Sequence, residues 1–531
     1  GSVDLGFLKH AFLREGEREP DKLTWPAIQQ DYRHSLEDAR QKTFSSAPKE
    51  NQHSLRTMRQ IFQKELKDRS ITPFTPPELS RAQVKKKIES GLDHYRNNYN
   101  KRVNPLMKNI PAAYMKTYLY ALETAGENTR YSEYRISPKG RNFVSGYDGN
   151  VREVMHWFQE GFEDAIRNRL PANMPYDYGL IVLIERHGIS PDAEKINPAT
   201  GRKHKVDYAV ELMKETFALK EAGANIVGID LAADELNCPV TDFKPAFDLI
   251  HDYNRQCLKA RKPENRLGLT IHAGEIARSG NLTGVESIEK SIELGYKEDS
   301  NGQVITPLRI GHGLQLLNSD PTLREAFIYF RQNPDSWKEV FRQAHNLPLT
   351  QDVIPYLREK SKLLDTVIEK KILFEQCPKS NIQTNSVQSL FPDAKAHPYF
   401  YHPAVFLSRL GVKVALDVDN RVISNSSQTN EMIKLYKYCG ATFDDLAKMQ
   451  INAAEGTFLF DPARKQAIVN DVKYTLGEIQ REPSYAWGLF QLNHHRDPSR
   501  DELQPKLQEA FQRKLGYETQ RYADYWGDLS K

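Results

Sequence analysis

The sequence predicts an α/β fold, a (β/α)8 barrel of the TIM type with an added helical N-terminal arm, an insertion and a C-terminal helical extension. Three observations support this fold class. From about residue 112 onward, short β-branched apolar runs alternate with amphipathic stretches of about 12–18 residues, as in parallel strands joined by crossover helices. Six of the seven runs end in polar or reactive side chains. With 531 residues, 39% of them apolar, the chain can bury a core of barrel size.

Seven apolar runs are predicted to be strands. They are Tyr131–Ile136, Gly179–Ile184, Asn225–Ile229, Leu267–Ile271, Leu308–Ile310, Ile372–Phe374 and Val412–Val418. The helices predicted between them are Val151–Arg167, Tyr208–Ala222, Val285–Leu294, Pro355–Lys370 and His402–Leu410. Each helix is followed by glycine or a polar residue before the next strand begins. An eighth strand near the N-terminus would close the barrel.

The chain divides into three segments. Residues 1–105 are an N-terminal segment with a polar helical arm, which also offers a first barrel strand; residues 106–480 are the barrel, and residues 481–531 are the C-terminal extension. An insertion of about 40 residues between Leu317 and Lys360 contains Trp337 and Phe341. Aromatic residues in such additions favour packing or a subunit contact over a ligand site, so a homo-oligomer stays an open alternative.

Charge and hydropathy exclude several classes of partner. There are 74 Lys and Arg residues against 70 Asp and Glu, and the net charge of +4 gives no field that would attract nucleic acid. The longest apolar stretch, Gly179 to Ile184, is far shorter than the roughly 20 residues that cross a bilayer, so we expect no membrane partner.

The compartment predicted from the sequence is the cytoplasm. The four cysteines are far apart and form no C-x-x-C pair, which favours reduced thiols. The N-terminal residues also lack the apolar h-region of a signal peptide. Since Gly1-Ser2 could be the remnant of a tag, secretion after removal of a signal stays an open alternative.

The residues that follow the strands point to a shared site. Six strands lead into Glu185-Arg186-His187, Asp230, His272, His312, Glu375-Gln376-Cys377 and Asp419. The carboxyl ends of the strands of a parallel barrel meet at one rim, where active sites are assembled. The alternative is that strand ends are polar simply because they reach solvent.

Three of these strand ends carry reactive groups in close sequence. His272 precedes Glu275 by three residues, so a turn between them could direct both side chains into one cavity. Glycines flank His312 and leave room for a substrate beside its imidazole. Asp417 and Asp419 alternate along the last strand and should share one face, where a metal or a salt bridge to Arg421 would compensate their burial.

Eight motifs, taken in order, resemble the adenosine deaminase family over roughly residues 90–470. The four central motifs are H-A-G-E at His272–Glu275, R-I-G-H-G at Arg309–Gly313, C-P-K-S-N at Cys377–Asn381, and His402-Pro403 followed by A-L-D-V-D-N at Ala415–Asn420. The supporting motifs are Y-S-E-Y-R-I-S-P at Tyr131–Pro138, E-R-H at Glu185–His187, V-G-I-D-L-A-A-D-E at Val227–Glu235 and N-A-A-E-G-T-F at Asn452–Phe458.

The resemblance implies hydrolytic deamination of adenosine or a related 6-aminopurine compound, with a purine nucleoside or nucleotide as the small-molecule partner and one Zn2+ as cofactor. It implies that His272 and Asp419 bind the zinc and that Glu275 and His312 handle protons. The substrate-binding residues that it implies are Gly274, Asn420 and Ala233. The last two depart from the family, which usually has Asp and Gly at these positions.

A further departure concerns the metal. Family members open with a strand ending in H-x-H, and this motif is not found in the sequence, where His10 is the nearest candidate for a further ligand. Because a catalytic zinc site normally has at least three protein ligands, two alternatives stay open. One is a metal-deficient pseudo-deaminase that binds a purine nucleoside or acts as an assembly subunit, and the other is an aminohydrolase for a different substrate. Cytidine-type zinc deaminases are excluded, since H-x-E with P-C-x-x-C is missing.

Overall fold

The computed structural model describes residues 2–4, residues 116–138 apart from 119, 123 and 126–128, and residues 151–481 apart from 169, 171–175, 189–191, 392–397 and 425. Its main sheet has eight strands. They are β1 (Ser2–Asp4), β2 (Thr129–Ile136), β3 (Asp177–Glu185), β4 (Ile226–Ala232), β5 (Gly268–Ala273), β10 (Leu308–His312), β11 (Leu373–Gln376) and β12 (Lys413–Leu416). Two short ribbons complete the strands: β6 (Arg278–Ser279) with β7 (Leu282–Thr283), and β8 (Lys297–Glu298) with β9 (Val304–Thr306).

The sheet order is β1-β2-β3-β4-β5-β10-β11-β12, and the seven strands from β2 to β12 are parallel. Almost every residue of these strands is buried, as expected for strands covered on both faces. This is the TIM-type α/β fold that the sequence predicts. The N-terminal strand β1 differs from the other seven, since it pairs antiparallel with β2 through Val3 and Tyr131.

Helices cover the outside of the sheet. They are α1 (Val151–Asn168), α2 (His204–Glu221), α3 (Lys244–Lys259), α4 (Gly284–Gly295), α5 (Pro321–Gln332), α6 (Trp337–Ala344), α7 (Val353–Lys360), α8 (Lys362–Glu369), α9 (Pro378–Gln383), α10 (Ser386–Leu390), α11 (Ala404–Arg409), α12 (Arg421–Ser424), α13 (Gln428–Cys439), α14 (Phe443–Glu455) and α15 (Pro462–Arg481). Short 3-10 turns lie at Val240–Phe243, Pro263–Asn265, Leu314–Asn318 and Pro398–Tyr401.

One predicted helix is divided in two. The sequence pattern predicts a single helix over Pro355–Lys370, but α7 ends before Ser361 and α8 begins after it. The Ser361 hydroxyl accepts a hydrogen bond from the backbone N–H of Leu364 over 3.1 Å and so caps α8. Ser361, which lies inside the amphipathic pattern, is therefore the N-cap at which α8 begins.

The insertion is part of the packed core. Its aromatic residues Trp337 and Phe341 are buried, and the ring of Trp337 packs edge-on against Phe406 with centroids 5.3 Å apart. The predicted N-terminal arm and the segment beyond residue 481 lie outside the described residues, so both remain predictions. Among the described helices, none has the length and apolar character needed to span a bilayer.

Phe458 packs against the start of β5, at the end of the barrel opposite the rim. A Cβ added to Gly268 would lie 2.0 Å from the Phe458 ring, so the glycine of β5 leaves the space that this ring fills. The guanidinium of Arg309 stacks on the same ring, 3.6 Å from its centroid. The upper end of the barrel, where the parallel strands finish, carries the polar residues of the candidate site.

Candidate active site

His272 and His312 lie side by side at the ends of two neighbouring strands. In the register of β5 and β10, Gly311 pairs with His272 and His312 pairs with Ala273. The two imidazole rings are 5.0 Å apart between centroids and meet at 64°. Parallel strands thus bring together two residues that are distant in sequence, as the strand-end pattern predicts.

Glu275 reaches the same place through a tight turn after β5. Gly274 has a φ of +65°, and a Cβ at this position would lie 2.6 Å from Ile288, so the turn requires glycine. As a result, Oε2 of Glu275 lies 3.6 Å from Nε2 of His312. The predicted convergence of this carboxyl group and this imidazole is confirmed.

Arg186 fixes the backbone of the site from behind. Its fully buried guanidinium donates to the backbone carbonyl of His272 and, over 2.9 Å, to that of Cys238. Burial lowers the pKa of Arg186, although the charge of Glu235 opposes this shift. The arginine after β3 therefore ties the end of β5 to the loop after β4.

Asp230, which lies in β4 two residues before the strand ends, orients the ring of His272. Its Oδ1 lies 3.1 Å from Nδ1 of His272, and its side chain is fully buried. Burial alone would raise the pKa of Asp230, but the charges of His272 and Arg135 outweigh burial and lower it. Since an ionised carboxylate can only accept, Nδ1 of His272 carries a proton, and in the neutral ring its other nitrogen, Nε2, presents a lone pair.

One short helix holds three of the candidate side chains. From α9, the Ser380 hydroxyl donates to Oδ2 of Asp419 over 2.6 Å. The next residue, Asn381, places its Nδ2 2.8 Å from Nδ1 of His312. Thr384, just after α9, donates to Oε1 of Glu275 over 2.9 Å. The C-P-K-S-N segment therefore organises the rim.

Asp419 does not lie on a strand, and the predicted shared face with Asp417 is wrong. Strand β12 ends at Leu416, and the predicted strand to Val418 is too long by two residues. Asp417 is buried with 6% exposure, whereas Asp419 is exposed. The physical reason is that Asp419 adopts a left-handed backbone with a φ of 58°, which ends any strand alternation.

Residues other than glycine adopt left-handed backbone at three points of the rim. They are Ala233 after β4 (φ 75°), His312 at the end of β10 (φ 65°) and Asp419 after β12 (φ 58°). Each costs about 1–2 kcal/mol relative to right-handed backbone. Such strain persists where the surrounding structure imposes it, and it clusters at functional sites.

Each predicted substrate-binding residue follows a strand of the parallel sheet. Ala233 comes after β4, Gly274 after β5 and Asn420 after β12, next to Asp419. The backbone N–H of Gly274 donates to Glu235 over 2.7 Å. The N–H of Gly274 is therefore already bound within the protein, and Ile288 lies where a side chain of residue 274 would be.

An ion network fills the barrel beneath the rim. Glu375 of β11 pairs with Arg135 of β2, and its Oε1 lies 2.9 Å from Nε of Arg309. Arg309 also pairs with the buried carboxylate of Glu133. Burial alone would raise the pKa of Glu375, but Arg135 and Arg309 outweigh burial and hold it well below its usual range. Four charged side chains from β2, β10 and β11, three of them buried, thus support the floor of the site.

The metal-ligand prediction is placed in part. His272 and Asp419 are both at the rim. Burial lowers the pKa of His272, but the charge and hydrogen bond of Asp230 outweigh burial and raise it, with a smaller contribution from Asp419. His10 lies outside the described residues. Within the described part of the chain, no group of three or more His, Cys, Asp or Glu side chains is arranged to hold a metal ion. All four cysteines are buried and free, and Cys377 directly follows β11.

Thr384 is the site residue that sequence reasoning missed. It follows the quoted C-P-K-S-N motif, and the only sequence signal for it is the spacing of one helical turn from Ser380 and Asn381. Glu235, Arg186 and Asp230 stand within motifs or strand ends that were singled out, but their positioning contacts depend on the tertiary structure. Arg186 follows β3, Asp230 lies within β4, and Glu235 lies in the loop after β4.

The comparison with known families agrees with this arrangement. The model of the family described as adenosine deaminase matches residues 61–475, well over half of the chain. The chain belongs to the adenosine deaminase family. The predicted resemblance over roughly 90–470 is thereby confirmed, and the family match begins earlier in the chain.

Individual members of the adenosine deaminase family are distant relatives. Adenosine deaminase of Mycobacterium avium (strain 104) is 24% identical over 369 residues, which are 69% of this chain and 76% of that protein. Adenosine deaminase of Mycobacterium sp. (strain KMS) is 27% identical with the same two shares. Among solved structures, adenine deaminase from Arthrobacter aurescens covers 79% of this chain and 95% of its own, with 15% identity and a TM-score of 0.48.

Proposed function

We propose that this chain hydrolyses the 6-amino group of adenosine or a related 6-aminopurine compound, giving the 6-oxo product and ammonia. The observation that carries the proposal is the 3.6 Å approach of Glu275 Oε2 to His312 Nε2, beside His272 at the rim. A carboxyl group and an imidazole in one cavity are the groups that a proton transfer to and from a purine needs. Membership of the adenosine deaminase family supports the same chemistry.

The donor atoms of His272 and Asp419 suit two ligand positions of a zinc site. The Nδ1–H of His272 is held by Asp230, an arrangement common behind metal-binding histidines. Asp419 is exposed, and one of its oxygens accepts from Ser380. His10 is the third ligand that the sequence offers. A zinc ion bound there would lower the pKa of its water towards about 7 and so supply hydroxide at neutral pH.

Glu275 is the proposed proton donor to the purine. Thr384 and Ser386 lie 2.9 Å and 3.5 Å from its Oε1, which leaves Oε2 on the side of His312. When protonated, Glu275 donates to ring N1, and C6 becomes electrophilic enough to add hydroxide. The proton of the added hydroxyl then passes to the amino nitrogen, the C6–N bond breaks to release ammonia, and a carbonyl forms at C6. His312 would act as a base or as an electrostatic orienter of the attacking oxygen.

The purine would be recognised by residues at the rim. Asn420 would donate its side-chain amide to N7, a contact that needs no bound proton. Gly274 would border the ring at the turn after β5, and the methyl of Ala233 would narrow the approach of the ring to the backbone after β4. Asn420 and Ala233 depart from the family pattern. The substrate class to test is therefore the related 6-aminopurines, and not adenosine alone.

The decisive experiment is an assay of the full chain, with and without added zinc, on adenosine, adenine and AMP. The change in purine absorbance and the release of ammonia are followed together. Equal amounts of 6-oxo product and ammonia from one of these compounds would support the proposal. If the zinc-loaded chain turns over none of them, the proposed function is wrong.

A second candidate is a pseudo-deaminase that binds a purine nucleoside without hydrolysing it. The observation in its favour is that the described residues contain no group of three or more His, Cys, Asp or Glu side chains arranged to hold a metal ion. Elemental analysis separates the candidates. Stoichiometric zinc with turnover would eliminate the binding-only function, and metal-free protein that still binds adenosine by calorimetry would eliminate the enzyme.

A further inference from the structure

Behind His312 lies a buried row of two further polar side chains. Nδ2 of Asn381 lies 2.8 Å from Nδ1 of His312, and Nε2 of His402 lies 3.1 Å from Oδ1 of Asn381. The exposures of His312, Asn381 and His402 are 2%, 0% and 1%. Because solvent is excluded, each polar atom in the row must be satisfied by its neighbour.

The direction of the hydrogen bonds is set at the far end. The backbone N–H of Ala404 points at Nδ1 of His402 over 3.4 Å, and a backbone N–H can only donate. Nδ1 of His402 therefore accepts, and the ring proton is on Nε2. Burial, with a smaller contribution from His312, lowers the pKa of His402 to about 3, so its ring is neutral near neutral pH.

The direction passes through Asn381 to His312. Nε2–H of His402 donates to Oδ1 of Asn381, so the amide group of Asn381 faces His312 and donates to its Nδ1. The reversed amide would leave two donors facing each other at His402. His312 then carries its own proton on Nε2, the nitrogen that faces Glu275.

The backbone of His312 keeps the ring in line with this row. His312 has a left-handed φ of 65°, and its carbonyl accepts a hydrogen bond from the side chain of Gln376, which is fully buried. The neighbouring Gly313 N–H donates to the carbonyl of Ala273 over 3.0 Å. Hydrogen bonds therefore fix the backbone of His312 as well as its ring.

We propose that Asn381 and His402 are positioning residues that fix His312 as the tautomer protonated on Nε2, so that His312 serves as a hydrogen-bond donor and not as a base. This inference rests on the proposed function and selects one of the two roles given there to His312. The Nε2–H would stabilise the negative charge that develops on the attacking oxygen as it adds to C6. A fixed tautomer avoids reorganisation during the reaction.

The test is the tautomer itself, observed by long-range proton–nitrogen NMR of the full chain with 15N-labelled histidine rings. The signal of His312 is assigned by its loss in His312→Gln. We expect a bare Nδ1 and a protonated Nε2 in the native chain. In Asn381→Asp, the new side chain only accepts from both neighbours, so the proton of His312 should move to Nδ1.

The kinetic expectation follows from the loss of one donor at the reacting oxygen. Asn381→Asp should lower kcat about 10²–10³-fold with little change in KM. The matched control is Asn452→Asp, a buried asparagine of α14 that donates to the carbonyl of Val414 over 3.3 Å, away from His312. It should leave the tautomer of His312 unchanged.

Two results would overturn the inference: a native His312 protonated on Nδ1, or a tautomer that is the same in Asn381→Asp. If Asn381→Asp does not fold, the native spectrum decides alone. The spectrum does not depend on turnover. If the chain deaminates no purine but His312 shows the Nε2–H tautomer, the proposed function is refuted and the inference about the tautomer stands.

Discussion

Glu235 accepts a hydrogen bond from the backbone N–H of Gly274 over 2.7 Å. Its second oxygen accepts from the N–H of Glu275 over 3.2 Å, and the Ser287 hydroxyl donates to the first over 2.9 Å. One buried carboxylate thus holds both sides of the turn that directs Glu275 into the site. Burial raises the pKa of Glu235, although Arg186 and the N–H of Gly274 oppose the shift.

Glu235→Gln should destabilise the chain and misplace Glu275. The side-chain amide puts a donor opposite a backbone N–H, which costs about 1–3 kcal/mol for an unsatisfied buried group. We expect a lower urea midpoint together with a reduced kcat. Glu289→Gln, an exposed change on α4, is the control and should alter neither. Native stability and kcat in Glu235→Gln would show that the carboxylate has no positioning role.

Glu375→Gln tests the ion network under the rim. The change removes the charge shared by Arg135 and Arg309, but Arg135 keeps Asp230 at 3.4 Å and Arg309 keeps Glu133. The loss should therefore be about 1–3 kcal/mol in the free energy of unfolding. Urea unfolding measures it, with exposed Glu369→Gln of α8 as the control. An unchanged midpoint would mean that the network contributes nothing to folding.

Ala233→Gly tests the left-handed rim. Release of the strain at φ 75° should outweigh the greater chain entropy of glycine and raise stability by about 0.5–1 kcal/mol. The control Arg261→Gly removes the same kind of strain (φ 57°) from an exposed turn far from the rim. Both should gain stability in thermal unfolding, but only Ala233→Gly should lower KM for a purine. Equal kinetics in the two variants would place Ala233 outside the binding wall.

Because His402 is buried, the stability of the chain should depend on pH. Its pKa is about 3 in the folded chain, lowered by burial, against about 6.5 in an unfolded chain. Between these values the unfolded chain binds a proton that the folded chain excludes. Stability should therefore fall as the pH falls below about 6.5, with up to about 1.4 kcal/mol per pH unit from this residue.

Urea unfolding between pH 7 and pH 5 measures that slope in the native chain and in His402→Gln, where it should be smaller. The control is His156→Gln, a change at an exposed position of α1. A slope that is the same in His402→Gln as in the native chain would show that His402 takes up no proton on unfolding.

The sequence was sufficient to predict that His272, Glu275 and His312 lie close together, because parallel strands finish at one rim whatever their separation along the chain. It was insufficient for Asp417 and Asp419, since side-chain alternation assumes extended backbone and Asp419 is left-handed. Thr384 was missed because its contact with Glu275 depends on how α9 sits over the rim. His10 stays a prediction, as it lies outside the described residues.

The most direct test of the account is ammonia release from the preferred purine by Glu275→Gln, with the zinc content of the variant measured in parallel. Loss of the proton donor should lower kcat by at least about 10²-fold, while the zinc content stays that of the native chain, because Glu275 is a proton donor and not a ligand. Glu289→Gln should behave as the native chain in both measurements. Undiminished ammonia release by Glu275→Gln, or loss of its zinc, would contradict the assigned role.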